Sequence, residues 1–207
     1  MNIKAIVFDY GGVICFVPSH ETEEELAGIC GLTAQMFREL HLKFRGELDR
    51  GSYNVKEFYR HHLPVFGIFP EDEMLDKIAQ ADMESWKNIN PETLRLMRDI
   101  KGAGFTLGIL SNMHHEFLAW MRANTAILEP VDTAVFSCNY NLIKPETAIY
   151  EKLKELLGCE YQEIVFFDDL PDNITKAREL GIHGFIWEGP GQARKLLKNL
   201  NAGFESL

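Results

Sequence analysis

The sequence is poor in cysteine, in positive charge and in long apolar runs, and each shortage removes a class of protein. Its four cysteines, Cys15, Cys30, Cys138 and Cys159, lie far apart and form no C-x-x-C pair. A disulfide framework is therefore not expected, and the thiols read as reduced and mostly buried in a cytoplasmic protein. Lysine and arginine number 21 against 31 acidic residues, which leaves a formal net charge of −10. Such a chain is repelled by phosphate backbones and anionic lipid, so nucleic acid and membrane surfaces are poor partners for it. No apolar run approaches the length of a bilayer span, and the first residues lack the basic and apolar regions of a signal peptide. Internal repeats and low-complexity tracts are absent.

What is present is the material of a globular domain: 207 residues, of which 46% are hydrophobic and 11% aromatic. That is enough apolar surface for a sizeable core. Ile3 to Phe8 is a nearly continuous apolar run stopped by Asp9 and the pair Gly11–Gly12. A run without alternation suits a strand buried on both faces of a parallel sheet. Similar runs end at Ser111–Asn112, Ser137, Asp168–Asp169 and Glu188–Gly189. Helical patterns lie between them. Asn90-Pro91-Glu92 opens one that stops at Gly102–Gly104, Gly158 closes a second that carries Leu153, Leu156 and Leu157, and Asp172 is placed to cap a third ending at Gly181. The alternation predicts an α/β fold, a Rossmann-like, doubly wound parallel sheet.

Residues 15–88 break that alternation. Thr22-x-x-Glu25 and Asn54-x-x-Glu57 look like capping boxes, Phe37, Leu40 and Phe44 share one helical stripe, and Pro70-Glu71-Asp72-Glu73 gives an acidic first turn. The expected organisation is a sheet domain of residues 1–14 and 89–207 with a helical bundle, 15–88, inserted after the first strand.

Ligands of an open parallel sheet bind beyond the carboxyl ends of its strands. There the sequence places Asp9, Ser111–Asn112, Lys144–Pro145 and Asp168–Asp169. Three carboxylates on one rim repel one another, and a hard cation relieves them. Mg²⁺ with a phosphate fits, the lysine and hydroxyl taking the remaining phosphate oxygens.

These residues, in this order, resemble the haloacid dehalogenase-like (HAD) superfamily. Its D-x-D-G motif is similar to Asp9-Tyr10-Gly11-Gly12, its strand-end serine to Ser111, its lysine to Lys144 before Pro145, and its acidic pair to Asp168–Asp169. The inserted helices resemble the family's C1 cap. The runs Asp168-Asp169-x-x-Asp172-Asn173-Ile174 and Arg45-Gly46-Glu47-Leu48 are similar to the branch holding a bacterial α-D-glucose-1-phosphate phosphatase. The phosphatase domain of soluble epoxide hydrolase is similar around Ser137-Cys138 and Lys144-Pro145.

The resemblance implies a Mg²⁺-dependent phosphomonoester hydrolase for a small phosphorylated metabolite, a sugar phosphate or sugar 1-phosphate. Asp9 would be the nucleophile. Asp169, Asp9 and the Gly11 carbonyl would hold the metal, with Asp168 either a direct ligand or the neighbour of one, and Asn173 ordering the loop. Lys144, Ser111 and Asn112 would hold the phosphate. His114 and His115 read as exposed helix-start residues, and Phe16, His20, Phe44, Arg45 and Glu47 are the insert's candidates for choosing the leaving group. The sequence does not separate monomer from homodimer.

Gly11 departs from the pattern, since family phosphatases carry there an aspartate that protonates the leaving oxygen. Three answers are open: an insert residue such as His20 supplies the proton, the leaving group needs little protonation, or the chain is a phosphate-binding pseudoenzyme. A 2-haloacid dehalogenase-type hydrolase is the competing enzyme, although Asp168–Asp169 suits a cation and a dianionic phosphate better than a haloacid.

Overall fold

A computed structural model describes residues 2–200. Five strands, β1 (Ala5–Phe8), β2 (Thr106–Ser111), β3 (Thr133–Phe136), β4 (Ile164–Asp168) and β5 (His183–Ile186), form one parallel sheet in the order β3-β2-β1-β4-β5. β1 is central, with Ala5 opposite Thr106 on one side and Ile164 on the other. Alternation along the strands sends Ile6, Phe8, Leu107, Ile109, Val165 and Phe167 to one face. There they meet α5 (Pro91–Gly102), α6 (His115–Asn124) and α10 (Pro190–Leu200). Val7, Leu110, Val135 and Phe166 point to the other face, against α8 (Thr147–Leu157) and α9 (Pro171–Glu179). The sheet is thus buried on both sides, which is why its strands read as unbroken apolar runs.

Between β1 and α5 lie α1 (His20–Ile29), α2 (Ala34–Asp49), α3 (Val55–His62) and α4 (Asp72–Ser85). They bury a core of their own around Phe37, Leu40, Leu48, Phe58 and Tyr59. The chain leaves the sheet and returns to it side by side: Cys15 bridges Ile89, Phe16 N–H donates to the Asn88 carbonyl at 2.9 Å, and Asn90 N–H to the Ile14 carbonyl at 2.9 Å. A short helix, α7 (Ser137–Tyr140), follows β3. No helix among the described residues is long and apolar enough to cross a membrane.

The capping box of Asn54 and Glu57 is present as expected. That of Thr22 is not: α1 starts earlier, with Ser19 as its cap and Thr22 donating its backbone N–H to the Ser19 hydroxyl. Asp172 is no cap either. Pro171 takes the first position of α9, which moves the cap position to Leu170 and leaves Asp172 exposed in the first turn. Its charge there still favours the positive end of the helix. Leu40 is fully buried in the insert's core. Leu40→Ala is expected to cost about 2–5 kcal/mol of stability, read as a fall in the midpoint of thermal or urea unfolding.

Candidate active site

Every strand end facing the insert contributes to one cavity of about 560 Å³ between the sheet and α1, α2 and α4. At its floor, Asp9 follows β1 and is almost fully buried. The Tyr10 N–H donates to Asp9 Oδ1 at 2.6 Å, and Lys144 Nζ reaches the same oxygen at 2.8 Å. Those two donors fix the carboxylate's rotation and leave Oδ2 without a hydrogen bond from the described residues. Burial pushes the Asp9 carboxyl up to about 7; Lys144 pulls it down, and Asp168 and Asp169 push it further up. A carboxylate so destabilised by its surroundings calls for a cation.

Lys144 is itself buried, with its ammonium 2.6 Å from Asp168 Oδ2. Burial alone lowers a lysine, yet the carboxylates of Asp9 and Asp168 more than offset it and hold Lys144 above its ordinary value. Asp168 is saturated. Its oxygens accept from Lys144, from the Leu170 N–H at 2.8 Å and from Asn173 Nδ2 at 3.0 Å to each. Asp169 is the opposite case, half-buried, lining the cavity, and accepting no hydrogen bond from another described side chain. Burial raises its carboxyl too, followed by the push of Asp168.

Oxygen atoms of Asp9, Asp168 and Asp169 lie within 4.8 Å of one another. Three carboxylates and one ammonium leave two negative charges for a divalent cation, and the donors are hard oxygens, so the set fits Mg²⁺. Gly12 makes room for it. With φ at +68°, a Cβ there would sit 2.4 Å from Asp169 Oδ2, so only glycine lets that carboxylate lie against the turn after β1. Gly11 has an ordinary φ of −64°, and a Cβ on it would meet only Trp86, at 3.4 Å.

Ser111 and Asn112 follow β2. Ser111 is buried and its hydroxyl makes one long bond, 3.4 Å to the Asn112 carbonyl, while Asn112 lines the cavity. The Asn112 side chain has a task that sequence reasoning missed. Its Oδ1 accepts the Lys144 N–H at 2.8 Å and its Nδ2 donates to the Lys144 carbonyl at 3.1 Å, so it clamps the lysine's backbone.

Of the insert's candidates, Arg45 alone lines the cavity. His20 is exposed beside Glu24, Phe16 is exposed, Phe44 stacks on His62 at 4.2 Å, and Glu47 pairs with His62. His115 is exposed as expected, whereas His114 is not. It is the buried N-cap of α6, its Nδ1 accepting the Phe117 N–H at 3.5 Å, and burial together with Arg45 lowers it to about 4. What the fold assembles around Arg45 was not visible in the sequence. Its Nε donates to Asp49 Oδ1 at 3.1 Å and its Nη1 to Asp82 Oδ2 at 3.2 Å, and Tyr59 donates to the same Asp82 oxygen at 2.8 Å. The signal available was weak, because charges on amphipathic helices usually mark a solvated face.

Residues 3–181 match the family described as haloacid dehalogenase-like hydrolase. A phosphatase of Mycobacterium tuberculosis is 23% identical over 94% of this chain and 91% of its own length. Bifunctional epoxide hydrolase 2 of Mus musculus is 30% identical over 70% of this chain, which spans 27% of that longer protein. An (S)-2-haloacid dehalogenase of Pseudomonas putida is 23% identical over 87% of this chain and 82% of its own. Among solved structures, a predicted HAD-like family hydrolase from Porphyromonas gingivalis aligns with a TM-score of 0.77 at 20% identity, over 96% of this chain and 99% of that one. A HAD family enzyme of Bacteroides thetaiotaomicron, in complex with magnesium and inorganic phosphate, aligns with a TM-score of 0.71 at 21% identity, over 89% and 93%. At such identities the structural likeness establishes the fold.

Gly12→Ala is expected to weaken Mg²⁺ binding at least tenfold by isothermal titration, because the new Cβ displaces Asp169. The left-handed backbone should add roughly 1–2 kcal/mol of destabilisation, visible as a lower unfolding midpoint. Unchanged Mg²⁺ affinity would place the metal elsewhere.

Proposed function

The chain belongs to the haloacid dehalogenase-like hydrolase family, and we propose that within it the protein is a Mg²⁺-dependent phosphomonoester hydrolase working through an aspartyl-phosphate on Asp9. The observation that carries this reading is the floor of the cavity. There a lysine ammonium bridges Asp9 and Asp168, while Asp169, bonded to no other described side chain, shares a 4.8 Å cluster with both. Asp9, Asp169 and the Gly11 carbonyl would hold Mg²⁺, with Asp168 anchoring Lys144. When bound, the cation offsets the repulsion between these carboxylates and a dianionic phosphate.

The chain's own residues supply the rest. Tyr10 N–H and Lys144 hold Asp9 Oδ1, so Oδ2 is the oxygen presented to phosphorus. Its attack breaks the bond to the leaving oxygen and leaves the phosphoryl group on Asp9. Lys144, kept charged by its two partners, neutralises the equatorial oxygens, and Asn112 prevents the lysine backbone from drifting. The helical insert covers this floor as a cap, which supports a small phosphorylated metabolite over a phosphoprotein. Sugar phosphates, sugar 1-phosphates foremost, are the first of that class to test, since an anomeric oxygen leaves readily.

The haloacid dehalogenase relative keeps a second reading in view, a carbon–halogen hydrolase using the same Asp9. An unpaired Asp169 beside the nucleophile has no task in that chemistry. A panel of small phosphomonoesters and 2-chloropropionate, with and without Mg²⁺, separates the two. Mg²⁺-dependent phosphate release is expected, abolished in Asp9→Asn and lowered at least about 100-fold in Lys144→Met, the scale of losing one preorganised donor. Halide release without phosphate release would favour the dehalogenase. Phosphate binding without turnover would favour a pseudoenzyme.

A further inference from the structure

The wall of the same cavity holds a source for the proton that position 11 cannot supply. We propose that Asp49, at the end of α2, protonates the leaving oxygen and then takes a proton from the attacking water. This rests on the phosphatase reading. In the first step Asp9 Oδ2 forms a bond to phosphorus, the bond from phosphorus to the leaving oxygen breaks, and that oxygen takes the Asp49 proton to depart as an alcohol. In the second, water gives a proton to the Asp49 carboxylate while its oxygen attacks phosphorus. The bond from phosphorus to Asp9 breaks, releasing phosphate and restoring both residues.

Five acidic side chains line the cavity: Asp9, Glu23, Asp49, Asp82 and Asp169. Asp9 and Asp169 are engaged at the floor. Glu23 pairs with Arg38. Asp82 is sealed. Its Oδ2 accepts from Arg45 and Tyr59, and its Oδ1 is buried opposite His114 Nε2, 4.0 Å away, with neither atom hydrogen-bonded. Glu23 and Asp49 each keep one oxygen without a described partner, and of the two Asp49 is the one joined to the rim loops. Its Oδ1 accepts from Arg45 Nε, its Oδ2 accepts from no described residue, and its side chain is 13% exposed.

The mount is tied to the rim of the site. Ser137 Oγ donates to the Asp49 carbonyl at 2.5 Å and accepts the Met113 N–H at 2.8 Å, tying the end of α2 to the loop after β2. Next in sequence, Arg50 pairs with Glu146 and donates to the Asn141 carbonyl at 3.1 Å, tying it to the loop that carries Lys144. Gly51 packs so close to α6 that a Cβ there would sit 2.6 Å from His115 Nε2. An aspartate tied through residues 49 and 50 to the loops holding Asn112 and Lys144, with Gly51 packed on α6, is positioned for chemistry there.

Its surroundings suit an acid. Burial raises the Asp49 carboxyl and Asp82, across from α4, raises it further; Arg45 on its own helix and Lys144 from the rim oppose them without cancelling the rise. The carbonyl end of α2 also disfavours the anion. The result is a carboxyl held above the ordinary range, as a proton donor requires.

The test is the dependence of kcat/KM on the leaving group, across phosphomonoesters from 4-nitrophenyl phosphate to simple alkyl phosphates. The wild-type protein should show a shallow dependence. Asp49→Asn should show a steep one, losing about 10²- to 10⁴-fold on alkyl esters and far less on the nitrophenyl ester. With the nitrophenyl ester the variant should also give a burst of nitrophenol followed by slow turnover, because the second step has lost its base. Gly11→Asp in the Asp49→Asn background should restore much of the alkyl-ester rate, position 11 having room for a side chain. A steep dependence in the wild-type protein overturns the proposal without any variant. So does an equal loss on every ester with a raised KM, the signature of Asp49 merely positioning Arg45. No phosphate release from any ester in the wild-type protein would instead remove the phosphatase reading itself.

Discussion

The buried ammonium of Lys144, held between Asp9 and Asp168, is the interaction on which the rest of the site depends. An unpaired lysine with essentially no exposure would cost several kcal/mol and lose its proton instead. Two carboxylates at 2.8 and 2.6 Å keep it charged, and in doing so they join three separate loops. The parallel sheet makes that possible, since β1 and β4 are neighbours, β3 lies two strands from β1, and all three end on the same rim. Asn173 on both Asp168 oxygens and Asn112 on both sides of the Lys144 backbone complete the frame. Removing one charge from this set would leave the others unbalanced, which ties the stability of the rim to its chemistry.

The frame also sorts the acidic pair into two roles. Asp168 is saturated by donors, Lys144 among them, whereas Asp169 accepts from no other described side chain, lying where Gly12 has no side chain. The sorting is a matter of local backbone. Asp168 is the last residue of β4 and points inward, while Asp169 begins the turn toward α9 and faces the cavity.

Much of the fold was legible because its strands are buried on both faces. Apolar runs ending in polar residues gave all five to within about two residues, and the residues at their ends are the ones the structure gathers. Capping was legible where the box was complete, as at Asn54 and Glu57. It was misplaced at Thr22, where a serine three residues earlier competes, and at Asp172, where Pro171 takes the first helical position. Contacts between segments distant in sequence were not legible. The clamp of Asn112 on Lys144, the burial of His114, and the joining of Arg45 to Asp49 and Asp82 depend on how the insert docks. No periodicity within one helix encodes that.

The docking of the insert explains how position 11 can be a glycine. A side chain two residues after the nucleophile reaches the leaving oxygen from the same turn, so its placement follows from β1 alone. A residue at the end of α2 can reach that space only if the insert is held in register with the rim. Ser137, Arg50 and the close packing at Gly51 are contacts of that kind, and all three gather around Asp49. An insert serving only as a loose cover would have no need of polar fastenings concentrated at one helix end. Their concentration beside Asp49, a cavity-wall carboxylate with one oxygen unbonded among the described residues, is what links the architecture of the insert to the chemistry of the floor.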